Sequence, residues 1–114
     1  MIDKQQISHR DIAGNVYDIS SLIDYQEGAV ISKTLIDKKS GTVTLFSFDK
    51  GEGLSEHTAP FDALVLVFDG EADITIAGEV RRVKKDQMIV MPANKPHSLR
   101  AAEQFKMALI LIKE

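Results

Sequence analysis

The sequence contains no cysteine. That excludes a disulfide framework, a zinc finger, an iron–sulfur site and a cysteine nucleophile. Histidine is scarce as well: His9, His57 and His97 are the entire supply of imidazoles. Any metal or acid–base chemistry must use those three rings and the carboxylates. A basic surplus is also missing, with 14 basic residues against 17 acidic and a net charge of −3. The basic residues form only short pairs, Lys38-Lys39, Arg81-Arg82 and Lys84-Lys85. A nucleic-acid binder carries a basic stripe, so no nucleic-acid partner is expected. The pairs read as turn and edge-strand charges that discourage sheet-to-sheet aggregation. Long apolar runs are absent too. The longest, 63–68 and 107–112, fall far short of a membrane helix. The first six residues offer no apolar core for a signal peptide. A cytoplasmic protein with no membrane partner is the resulting expectation.

What remains is a β pattern in one domain-sized chain of 114 residues. A chain of this length buries about two-thirds of its unfolded surface, so it folds without a staple. Residues 1–28 read as an N-terminal segment packing on a barrel formed by residues 29–114. Within that segment, 18–25 offers a serine cap and mixed apolar spacing, and Glu27-Gly28 offers a stop; a short helical segment is expected there. From residue 30 onward, runs rich in Val, Ile, Leu, Thr and Phe recur between turn residues. They fall at 30–36, 42–48, 64–68, 72–77, 80–83, 88–91, 98–101 and 106–112. Short strands punctuated in this way indicate an all-β sandwich or barrel. Asp69-Gly70 predicts a tight hairpin, because a primed turn needs positive φ at both central positions. Ser40-Gly41 and Ala77-Gly78 are weaker turn signals. No repeat and no strand–helix alternation is present, which disfavours solenoids and doubly wound sheets.

Two segments carry the chemistry. The first runs from Gly51 through five residues to His57, then Ala59, Ala63 and Gly70. The second runs from Asp86 to Pro92, Asn94 and His97. Together they resemble the two motifs of the cupin superfamily, and the resemblance covers roughly residues 30–112. It implies a jelly-roll barrel of antiparallel strands with a ligand site in its mouth. It also implies a metal held by two histidines and a glutamate from the first motif and one histidine from the second. Here the first-motif histidine falls on His57 and the second-motif histidine on His97. The other two ligand positions are Ala59 and Ala63. The glycine positions of the second motif are Asp86 and Asn94, and asparagine tolerates a left-handed backbone well.

A catalytic metal normally keeps three protein ligands, often two histidines and a carboxylate. Asp62 is the nearest carboxylate, but its strand parity points it away. The implied mouth is therefore wider and less polar, with Phe46, Phe48, Phe61, Met91 and Met107 as further candidates to line it beside Ala59 and Ala63. Phe46 and Phe48 share a strand face, and core packing is the plainer reading of both. Residues 107–112 read as a strand buried on both faces or at an interface. Ser55-Glu56-His57 is no triad, since neighbouring side chains on a strand point to opposite faces. His9 has no motif context and reads as a surface residue.

Three functions follow from this pattern. The first is a small-molecule binder without a tightly bound metal or other cofactor, acting as sensor, carrier or metal-free enzyme through His57 and His97. The second is a metal-dependent dioxygenase or isomerase holding a divalent transition metal with His57 and His97. The third is a non-catalytic interaction domain. The resemblance also implies a homodimer, because small cupins commonly pair barrel sheets, and 30–36 and 107–112 would suit a symmetric interface.

Overall fold

The computed structural model describes residues 12–113, so His9 lies outside the described residues. Period-two alternation builds eight strands. They are β1 (Val30–Lys38), β2 (Gly41–Phe48), β3 (Gly53–His57), β4 (Asp62–Ile76), β5 (Glu79–Lys84), β6 (Met88–Met91), β7 (His97–Arg100) and β8 (Phe105–Ile112). Every ladder is antiparallel. The main strand order is β1-β2-β8-β4-β7-β3, with β5 and β6 also paired to β4. The result is the expected all-β fold, an antiparallel sheet curled into a barrel.

β4 is long because it serves two sheets. Residues 62–70 pair with β8, and residues 63–66 pair with β6. Residues 71–76 pair with β5, and 73–76 with β7. The strand turns the corner between the sheets at Asp69-Gly70. This corrects the sequence expectation of a hairpin there. The ladder shifts register between Val67 and Asp69, and Gly70 sits at φ +68. A Cβ on Gly70 would lie 1.8 Å from the Gln104 carbonyl oxygen. A bulge and a primed turn ask for the same left-handed backbone, so the sequence signal was real and its structural outcome different. The primed-turn backbone appears instead at Ala77-Gly78, between β4 and β5, at φ 49 and 83.

The N-terminal helical segment reduces to one 3-10 turn, Ile19–Ser21. The residues around it form a strap across the outer face of the sheet. Ile23 is 2% exposed and packs with Leu45, Phe68 and Ala108. Three donors on three strands reach the strap's carbonyl oxygens. Lys106 of β8 donates to Ser20, Lys33 of β1 to Leu22, and the Ser47 hydroxyl of β2 to Asp24. A buried lysine is tolerable only when such an acceptor replaces water. Tyr25 closes the strap by donating to the Asp69 carboxylate at 2.5 Å, with the Lys106 ammonium 4.9 Å from its ring centroid. The strap explains why Phe105, Lys106, Met107 and Ala108 are all buried although they alternate between faces. No helix among the described residues is long and apolar enough to cross a membrane.

Candidate functional site

The inner face of the barrel contains two regions. At one end, Phe48 stacks on Phe105 with centroids 4.3 Å apart, and Phe46 lies 5.9 Å from Phe48. Register pairs Phe46 with Met107 and Phe48 with Phe105, and Met107 is fully buried. This is solid core. Phe46, Phe48 and Met107 therefore do not line the cavity for which they were candidates; for Phe46 and Phe48 the structure shows the plainer alternative, core packing. They lie toward the start of β8, whereas the cavity opens toward its end, and successive residues on one strand face are about 7 Å apart.

The cavity has a volume of about 110 Å³. Leu109 and Leu111 of β8 form its back wall, with Ala63 of β4 and Met91 of β6 beside them. Ala63 pairs with Leu111 on one side and with Met91 on the other. The alanine methyl is thus the low point of a cross-strand row, and it leaves room above itself. Leu54 and Leu99 close the opposite wall, while Ala59 and Phe61 edge the mouth. Leu54, Leu99, Leu109 and Leu111 were not singled out from sequence. Inward-facing leucines around a cavity carry the same alternation as inward-facing leucines in a filled core.

His57 and His97 supply the polar atoms. They are directly paired on β3 and β7. Their rings meet at 72°, with Nε2 atoms 3.1 Å apart. Each Nδ1 faces a backbone carbonyl two residues earlier, Ser55 for His57 at 2.8 Å and Lys95 for His97 at 3.1 Å. His97 is 5% exposed, whereas His57 is open to solvent. Burial pushes His97 below the ordinary imidazole value. The Lys95 hydrogen bond opposes that shift, and the neighbouring His57 adds to it.

The loop before His97 is fixed by backbone geometry. Asn94 adopts φ 65, and its N–H donates to the Ala59 carbonyl at 2.8 Å, joining the two motif segments. Asp86 likewise adopts φ 69. Both occupy the second motif's glycine positions, and both take the left-handed backbone those positions demand. Asp62 accepts from the Ala93 N–H at 2.9 Å. Its carboxylate anchors this loop, and it does not line the cavity.

The donor set does not fit a tightly held transition metal. Two imidazoles converge, but alanines stand at the other two ligand positions and Asp62 is engaged elsewhere. Among the described residues no group of three or more His, Cys, Asp or Glu side chains could hold a metal ion. A divalent metal there would keep only two protein ligands, one fewer than a catalytic zinc keeps. The arrangement can accept or donate hydrogen bonds at the end of an apolar chamber and can hold a proton.

Comparison with known proteins agrees with this fold. The chain is similar in structure to a conserved protein of unknown function from Streptococcus pyogenes. That match has 39% identity and a TM-score of 0.85, and it covers 89% of each chain. A cupin 2 conserved barrel domain protein from Leptotrichia buccalis is 45% identical at a TM-score of 0.82. It covers 85% of this chain but only 47% of the other, so this chain spans about half that protein's length. A cupin superfamily protein from Desulfitobacterium hafniense is 31% identical at a TM-score of 0.84, covering 89% and 93%. No curated protein matches the chain. The sequence model of the Cupin domain matches residues 44–113, which includes every residue of the cavity described above. With the barrel, the paired histidines and that match together, the chain belongs to the cupin family.

Proposed function

We propose that the chain binds a small organic molecule in the barrel-mouth cavity, without a tightly bound metal. One observation carries this reading: a cavity walled by apolar side chains, in which His57 and His97 are the polar side chains and Ala59 and Ala63 replace the remaining donors. A concave apolar chamber with a few placed polar groups is the usual form of a small-molecule site. Each imidazole can also take or give a proton, so a sensor, a carrier and a metal-free enzyme all fit the same chamber.

Elemental analysis of purified protein, combined with a thermal-shift ligand screen, tests the reading. The expected outcome is less than stoichiometric transition metal, and ligand-induced shifts that shrink in His97→Ala. Stoichiometric metal, or equal shifts in wild type and variant, would contradict it.

We also propose a homodimer formed through the outer sheet face. Register aligns Ile36, Val43, Ile110, Leu64 and Val90 in one row across five strands. Ile36 and Val90 at its two ends are 40% and 49% exposed, and Ile112 beside it is 53% exposed. Contiguous apolar surface of this kind marks interaction sites, and a two-fold axis lets one such row cover another.

A further inference from the structure

We infer that the barrel cavity takes an uncharged, compact aliphatic molecule bearing at most one hydroxyl, and that it discriminates against both carboxylates and amines. The inference rests on the small-molecule reading above and names the class of molecule.

The walls favour carbon. Leu54, Leu99, Leu109, Leu111, Met91 and Phe61 surround the space, and the Ala63 methyl leaves room at its base. No Asp, Glu, Lys or Arg lines it. The charges nearest in sequence are turned elsewhere. Asp62 accepts from the Ala93 N–H. Glu56 and Lys95, close to the two histidines in sequence, are exposed and outside the cavity.

The imidazoles are occupied by partners within the protein. Each Nδ1 faces a carbonyl oxygen, that of Ser55 or Lys95, and the two Nε2 atoms face each other. The cavity therefore offers a ligand no unpartnered polar side chain. An ion entering it would shed hydration with no counter-charge to replace it, which costs far more than burying a hydroxyl. Water gains little there either, since a buried water needs about two to four polar partners. Apolar surface set against these walls is removed from water on both sides, which is favourable.

Size follows from the volume, which is about 110 Å³. A dry cavity of roughly 150 Å³ accommodates benzene, so a body of about five heavy atoms suits this one. In so short a molecule the head group lies only a few bonds from the far end of the body. An ion therefore cannot fill the chamber and keep its full hydration shell. A hydroxyl loses much less by approaching the mouth, where Ala59 and Phe61 form the edge and His57 is open to solvent.

The test uses one branched body with three head groups. Chelator-treated full-length protein is titrated by calorimetry with isoamyl alcohol, isovalerate and isoamylamine. The alcohol is expected to bind about tenfold tighter than either ion. Straight-chain alcohols from ethanol upward are expected to gain about fourfold per methylene and to level off near about five carbons. Equal or tighter binding of either ion overturns this inference and leaves the cavity reading intact, as does a series that keeps climbing to octanol. Ala63→Val puts a larger side chain, well suited to a strand, at the cavity floor. It is expected to weaken the alcohol about tenfold without lowering the melting temperature, because it fills a void. Undiminished binding in folded Ala63→Val places the alcohol elsewhere and overturns the inference. Wild-type protein supplies the location independently of any variant. Nuclear Overhauser contacts from bound alcohol to the Leu109 and Leu111 methyls are expected, and their absence at saturation would overturn the inference. If none of these molecules binds, the cavity reading itself fails and takes the inference with it.

Discussion

Alanine at positions 59 and 63 does more than vacate two ligand positions. Ala63 sits between Leu111 and Met91 in one cross-strand row, so its small side chain also creates the chamber. The histidine pair at its mouth has a consequence for stability as well. His97 is held below the ordinary value of 6.5, chiefly by burial. Above that value His97 is neutral whether the chain is folded or not, and its contribution is fully present. As pH falls below it, the unfolded chain takes up a proton that the folded His97 resists, and stability drops until the folded value is passed. Urea unfolding at pH about 7.5 and about 5.5 should therefore show a loss in wild type that is smaller in His97→Gln. An identical loss in the two proteins would remove His97 from the account.

At the scale of elements, the strap is the part that sequence hid best. The serine-cap pattern of 18–25 suggested a helix, yet three carbonyl oxygens in this stretch are taken by Lys106, Lys33 and Ser47. Sequence patterning did not single out the lysines at 33 and 106, which are buried. Only the three-dimensional arrangement shows that the strap's backbone replaces water around them. Ile23 is the apolar anchor, and Ile23→Ala is expected to cost about 3 kcal/mol in urea unfolding, as buried Ile truncations do. A cost below about 1 kcal/mol would mean that the strap is only loosely seated.

The strands were far more legible, because period-two alternation is a local property. Asp69-Gly70 was misplaced because a bulge and a turn share one backbone requirement. The site was legible in part. The motif positions His57, His97, Ala59 and Ala63 and the lining candidate Met91 all stand at the cavity. Phe46, Phe48 and Met107 share the inner face but occupy its packed end, and sequence gives no depth along a barrel axis.

For the molecule as a whole, the outer face sets the expected assembly. Light scattering should give the mass of a dimer for wild type and a shift toward monomer for Val90→Lys, which puts a charge at the end of the apolar row. A strict monomer at high concentration would contradict the proposed homodimer. Only one face of the molecule is concerned, because β3 and β7, which carry the histidines, lie in the other part of the barrel.

The strand order also bears on synthesis. β2 finds its second neighbour only in β8, with Gly41 paired to Ile112, and the cavity walls come from positions as far apart as 54 and 111. A chain emerging from the ribosome can close the β1–β2 hairpin early, but the ladder that joins it to the rest must wait for the last strand. Until then the inner faces of β2 and β4 are uncovered, with Phe46, Phe48, Val65 and Val67 among their residues. Long-range pairing of this kind is slow and leaves sticky intermediates. The pocket is therefore completed only when β8 has been made, and a nascent chain short of residue 112 lacks its finished back wall.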